Sequence, residues 1–205
     1  MKCIDLGLIS VKEATLLQEE ERQKIWAGKS RGSLFICEHP HTVTIGRKLE
    51  KDYLKIRDVI PSHIEVISLN RGGELTYHGP GQMVVYPVIS IEEYGFSVRD
   101  YISFLEETIV QALAHYGIKA SGNPNHRGVW SHGKKLASIG VHISKGVSIH
   151  GAALNVSCDL TYFSYFQPCG LCHTDITSME KVLTHQVDIA EIKEKVIQLF
   201  TPLIQ

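Results

Sequence analysis

The 205-residue chain has no block of like charges, and its 22 acidic and 21 basic residues leave a formal net charge of −1. Nucleic-acid binding therefore has no chain-level electrostatic footprint, leaving only a local basic face such as Arg47, Lys48 and Lys51. No apolar run approaches the ~20 residues of a membrane-spanning helix. The first ten residues, Met1 to Ser10, lack the apolar core and small-residue cleavage site of a signal peptide, so a cytoplasmic location is expected, with no membrane partner. Cysteine is sparse and odd in number. Cys3, Cys37, Cys158, Cys169 and Cys172 have no framework spacing, which argues against a disulfide scaffold and for free thiols in a reducing compartment. There is no P-loop, internal repeat, linker or low-complexity segment. The length suits one domain spanning residues 1–205, and a monomer is the default expectation.

Ordinary globular patterning is present: 43% of residues are hydrophobic and 21% charged, enough to build a core. Strand-like runs cover 2–9, 33–38, 42–45, 64–69 and 83–88. Ser10 and Glu13 form a capping box that opens a helix to about Gly28. Asp52–Ile60 reads as one or two helical turns stopped by Pro61. Ser97 and Asp100 open a second helix, where Ile102, Leu105, Ile109, Leu113 and Tyr116 recur at helical spacing before Gly117. Short strands are expected at 128–130, 135–143, 147–149 and 152–156, then an irregular stretch, 163–175. Asp188 with Glu191 caps a last helix, with Ile189, Ile192, Val196 and Leu199 on its buried face. Strands and helices mix without a βαβ rhythm, so the fold class is α+β.

The stretch Arg71-Gly-Gly-Glu-Leu-Thr-Tyr-His-Gly-Pro-Gly-Gln82 exceeds what a turn requires. Its glycines form two clusters around polar and aromatic side chains. One reading is a surface loop with ordinary punctuation; the other is a backbone laid against a ligand, where a Cβ would obstruct.

Cys169 stands between Pro168 and Gly170, a turn context that presents a side chain and makes it a candidate nucleophile. For Cys3, Cys37 and Cys158 the plainer expectation is a small buried hydrophobe. Cys169, Cys172 and His173 give half of a zinc spacing, without the second pair that a structural site needs. Strand alternation puts Lys135, Ala137 and Ile139 on one face, which turns Lys135 inward beside a cavity; the alternative is a solvated strand end. His150-Gly-Ala-Ala-Leu-Asn155 has small residues where a strand would favour branched ones. His78 is either a base or a hydrogen-bonded structural residue. His39 and His41 are either metal ligands or incidental.

Four motifs in order, Arg71–Gln82, Lys135-Leu-Ala-Ser-Ile-Gly140, His150–Asn155 and Pro168-Cys-Gly-Leu171, together resemble the lipoyl(octanoyl) transferases, in the fold family of biotin and lipoate protein ligases. The likeness covers nearly the whole chain. It implies transfer of octanoyl from octanoyl-acyl carrier protein to a specific lysine on a lipoyl domain. Acceptors would be the lipoyl domains of 2-oxoacid dehydrogenase complexes and the glycine cleavage H protein, with no cofactor. It further implies that Cys169 forms the acyl-enzyme and that Lys135 adjusts its protonation. Arg71, Gly72, Gly73, Glu74, Leu75, Thr76, Tyr77, His78, Ser138, Ile139, Gly140, Gly151, Ala152 and Ala153 would line the acyl site. Glu74 stands where the family commonly has Gln, and Cys172 is an additional thiol beside the nucleophile. Backbone N–H groups near Cys169 and Gly140 are candidate oxyanion donors. Three rivals remain: an ATP-dependent ligase of the same fold, a non-catalytic acyl-binding module, and a small zinc domain.

Overall fold

A computed structural model describes residues 1–123, 125–166 and 175–204, with side chains through residue 201. Seven strands form the main sheet: β1 (Lys2–Leu8), β2 (Ser33–Glu38), β6 (Gln82–Val88), β10 (Val147–Asn155), β9 (Lys134–Ser144), β8 (Val129–Ser131) and β7 (Ser121–Gly122), in that spatial order. A second, three-stranded sheet has β3 (Thr42–Ile45) between β4 (Glu65–Ser68) and β5 (Leu75–His78). Among the described strands, only β1–β2 and β3–β4 pair in parallel. With helices on the sheets and no repeating crossover, the fold is α+β, as expected.

β2 and β6 explain their unbroken apolar sequences by being covered on both faces. Leu34, Ile36, Met83 and Val85 enter one core, with α3 (Val98–His115) and α5 (Ile189–Ile204) packed over it. Phe35, Cys37, Val84 and Tyr86 face the other way, under α1 (Val11–Trp26). Burying one such side chain stabilises the fold by roughly 1.5–3 kcal/mol.

The helix starts follow the capping residues. Ser10 Oγ accepts the Glu13 N–H at 3.2 Å while Glu13 Oε2 accepts the Ser10 N–H at 3.4 Å. Ser97 Oγ accepts the Asp100 N–H at 3.2 Å, and Gly117 ends α3 at φ 73°. Asp188 Oδ1 accepts the Ala190 N–H at 2.8 Å at the start of α5. Residues 47–59 form a 3₁₀ turn, Arg47–Asp52, running into α2 (Tyr53–Val59). A second 3₁₀ turn, Leu160–Tyr165, takes in the start of the stretch expected to be irregular, whose residues 167–174 lie outside the described residues, and α4 (Met179–Leu183) follows it.

Several local expectations change. Leu75–His78 is a strand inside the glycine-rich stretch, because β3 supplies a partner across Thr42–Ile45. β10 runs unbroken through His150 and Gly151, although His150 has φ 60°. Its backbone N–H leaves the ladder and donates to Gln18 Oε1 at 2.7 Å, from a fully buried side chain on α1. Cys3 is exposed, because β1 is an edge strand, whereas Cys37 and Cys158 are buried as expected. No helix among the described residues is long and apolar enough to cross a membrane.

Candidate active site

The two sheets meet around a cavity of about 730 Å³. One wall is β9 and β10, where Gly140 pairs with Gly151, Ile139 with Ala152 and Ser138 with Ala153. A Cβ on Gly151 would run into the Val85 carbonyl oxygen and lie 2.9 Å from Pro87 Cδ. One on Gly140 would lie 3.2 Å from the Gly72 carbonyl oxygen. Glycine at these sites lets backbone stand where side chains would otherwise fill the space.

The opposite wall is the Arg71–His78 segment. Gly72 N–H donates to Val141 O at 2.9 Å and ties this segment to β9. The buried Arg71 guanidinium folds back into its own turn: Nη2 donates to Thr44 O at 2.7 Å and Glu74 O at 3.1 Å, and Nη1 to Gly72 O at 2.9 Å. Nε and Nη2 also donate to Thr44 Oγ1, at 3.2 and 2.9 Å. That hydroxyl faces His78 Nε2 at 3.3 Å, and His78 Nδ1 faces Gln82 Oε1 at 2.8 Å. Gln82 Nε2 donates to Asn155 Oδ1 at 2.9 Å, and Asn155 Nδ2 to Thr177 O at 3.0 Å. A buried polar chain therefore links the turn to the segment beyond residue 174.

His78 is held well below the usual imidazole pKa, by burial first and by His39 and Arg71 next. Both its nitrogens face hydrogen-bonding partners, Thr44 Oγ1 and Gln82 Oε1, which fits a structural role. Burial lowers His150 to about 3, with Arg71, His142 and Arg22 adding to the effect. His39 and His41 do not converge. His39 Nδ1 donates to Ile9 O at 2.7 Å and its Nε2 meets Tyr86 Oη at 2.8 Å, whereas His41 Nδ1 meets Tyr77 Oη at 2.7 Å. Among the described residues no group of three His, Cys, Asp or Glu side chains is placed to hold a metal ion.

Thirteen of the fourteen expected acyl-site residues line this cavity together with Lys135. The exception is Tyr77. It sits between Thr76 and His78 on a strand, so its ring points the opposite way. Fully buried, it stacks on Tyr162 with ring centroids 4.9 Å apart and packs edge-on to Phe163. Cys169, Cys172 and His173 lie outside the described residues, as do any oxyanion donors beside Cys169.

Lys135 is only 8% exposed, and its ammonium lies 5.9 Å from the centroid of the Trp130 ring. Gly128, at φ 133°, makes room for its stem, since a Cβ there would lie 2.7 Å from Lys135 Cε. Glu106 supports that turn by accepting the Gly128 N–H at 3.0 Å. Sequence reasoning passed over Gly128, Trp130 and Glu106. Their place beside Lys135 follows from the β8–β9 register, in which Trp130 pairs with Lys135 and Val129 with Ala137, and that pairing is invisible before the fold is known. On its other side, Lys135 O accepts the Thr177 N–H at 2.9 Å, and Lys135 bridges Ile176 in parallel. The chain carrying Cys169 thus rejoins the sheet at Lys135.

The fold is that of lipoate protein ligases. A lipoate-protein ligase A structure bound with ATP superposes with TM-score 0.75 at 19% identity, covering 99% of this chain and 85% of that one. At the sequence level, the family model for the lipoyl protein ligase A/B catalytic domain matches residues 11–201. The chain belongs to that family. An octanoyltransferase of Geotalea uraniireducens is 40% identical over 196 residues, 96% of this chain and 89% of its own. An octanoyltransferase of Bacteroides fragilis is 38% identical over 208 aligned residues, 93% of this chain and 92% of its own.

Proposed function

We propose that this protein is an octanoyltransferase of protein lipoylation, taking octanoyl from an acyl carrier protein thioester and passing it through Cys169 to a lipoyl-domain lysine. The observation that carries the reading is Lys135: a nearly buried lysine, lining the cavity, whose backbone pairs with Ile176 seven residues after Cys169. The octanoyltransferase relatives support the acyl group and the class of reaction.

The chemistry follows from charge and burial. A free thiol with pKa ~8.5 is mostly protonated at neutral pH, and the thiolate is the nucleophile. An ammonium ~4 Å from it, at an effective dielectric of ~20, favours the charged pair by up to ~4 kcal/mol, from which desolvation subtracts. The cavity offers a thin apolar chain ~0.8 kcal/mol per buried CH₂.

In the first half-reaction the Cys169 thiolate attacks the donor carbonyl, a new S–C bond forms, and the carrier S–C bond breaks. The departing carrier thiolate takes a proton from the Lys135 ammonium. In the second, the acceptor lysine, as free amine, attacks the acyl-enzyme. Its N–C bond replaces the Cys169 S–C bond, its released proton goes to neutral Lys135, and the thiolate–ammonium pair is restored. Thioester exchange is nearly thermoneutral and amide formation runs downhill, so the cycle closes without ATP.

The test is to incubate the protein and an apo lipoyl domain with octanoyl-acyl carrier protein in one tube and with octanoate and ATP in another. Octanoylation of the domain in the first tube, slowed strongly by Lys135→Ala in both half-reactions, is the expected result. Octanoylation only in the second would assign an ATP-dependent ligase instead, and near-normal rates in Lys135→Ala would remove the proposed role of that lysine.

A further inference from the structure

Three concavities lie next to one another and share lining residues. The acyl cavity reaches His126. From His126, a groove of about 640 Å³ continues past Trp130 to His132, with Lys119, Asn123 and Asp175 along it. His132 also borders a third hollow of about 700 Å³, lined by Lys134, Lys181, Thr161 and Thr177.

The first two residues of β9 thus serve two sites. Lys135 faces the acyl cavity and its ammonium lies over Trp130, the ring that lines the connecting groove. Lys134, on the opposite face, lines the third hollow. Lys134 and Lys181 are exposed, and neither joins an ion pair among the described residues. Two carboxylates stand near. Asp175 lines the groove, and Asp159, close to Lys181, is occupied by Thr161, whose N–H and Oγ1 donate to its Oδ1 at 2.9 and 2.7 Å. Solvated surface lysines alone would signify nothing. Here they line a hollow that neighbours a groove bordering the acyl cavity, and Lys135 and Trp130 stand along that side.

We propose that the third hollow binds the phosphate of the thiol arm that delivers the acyl group, with the arm lying in the groove over Trp130. The inference rests on the thioester-donor reading above. A thiol borne on a phosphate ester is common to the phosphopantetheine of carrier proteins and to coenzyme A. Lysine ammoniums are point-charge partners for such an anion. Because Lys134 and Lys135 are adjacent on one strand, anchoring the phosphate sets where the thioester sits relative to the catalytic lysine.

The experiment compares rates of acyl-enzyme formation from octanoyl-pantetheine 4′-phosphate and from octanoyl-pantetheine, which lacks only the phosphate. The wild type is expected to favour the phosphorylated donor by about tenfold in kcat/KM, the effect of one charge-assisted contact. A Lys134→Ala/Lys181→Ala double variant should lose that preference while reacting normally with octanoyl-pantetheine. Equal rates for the two donors in the wild type, or a full preference retained in the double variant, would overturn the proposal while leaving the thioester reading intact. No acyl-enzyme from any octanoyl thioester would overturn both. Octanoyl-acyl carrier protein and octanoyl-coenzyme A form the remaining arms. A loss in the double variant with the carrier identifies the carrier's arm as the natural occupant, and a loss confined to coenzyme A identifies the free cofactor ester.

Discussion

The two walls of the cavity are built on opposite principles. The β9–β10 wall is made of omissions: Gly140, Gly151, Ala152 and Ala153 leave room because they have little or no side chain. The Arg71–His78 wall is made of bonds, with one buried guanidinium, Thr44, His78 and Gln82 holding an otherwise glycine-rich turn in place. Adding atoms should damage the first wall and removing them the second. The same cavity therefore fails in two distinguishable ways.

The largest effect is expected from filling the first wall. Gly151→Val places a branched side chain against the Val85 carbonyl, and the strands have to separate. A loss at or above ~3 kcal/mol, the upper end of overpacking costs, should appear as a fall in Tm together with loss of acyl-enzyme formation. A stable Gly151→Val protein with normal turnover would break the distinction between the walls.

Removing the centre of the second wall comes next. Arg71→Met leaves the carbonyls of Thr44, Gly72 and Glu74 without their guanidinium donor, at a cost of about 2–3 kcal/mol in denaturant unfolding. Because the turn carries cavity residues, KM for the octanoyl donor should rise as well. Unchanged stability would mean that the glycine-rich turn holds itself.

His150 also lines the first wall and gives it a pH signature. Its folded-state pKa of about 3 lies below the ordinary 6.5, so the unfolded chain binds more protons between those values. Its contribution is therefore complete above pH 6.5 and is lost as pH falls toward 3, by up to ~1.4 kcal/mol per pH unit. His150→Gln should flatten the stability–pH slope in that window, which urea melts across the range would measure; an unchanged slope would place the acid sensitivity elsewhere.

The smallest effect sharpens the boundary of the second wall. Tyr77→Phe keeps the ring stack and removes only the contact with His41, costing about 1 kcal/mol. Since Tyr77 faces away from the cavity, KM for the octanoyl donor should not change. A raised KM without a stability change would restore Tyr77 to the acyl site.

How much of this was readable from sequence depends on the range of the cause. Capping residues act within one turn, so Ser10 and Ser97 mark the starts of α1 and α3 unaided. Strand alternation turns Lys135 inward, and the fold bears that out. Tyr77 went the other way: once Leu75–His78 pairs with β3, the same period-two rule sends Thr76 and His78 to one face and Tyr77 to the other. The glycines around that strand hid it, and only its partner reveals it. His150 in the left-handed region, supported by Gln18 from a helix 132 positions away, carries no local mark at all. Cys3 is exposed because sheet order leaves β1 at the edge, a property of the whole chain rather than of its neighbours.

The most direct measurement is intact-mass spectrometry of the protein after mixing with octanoyl-acyl carrier protein in the absence of ATP, alongside Cys169→Ser. The account predicts a mass increase of one octanoyl group that is labile to neutral hydroxylamine and absent as a thioester from the variant. An unmodified protein after exposure to a competent carrier substrate would contradict it.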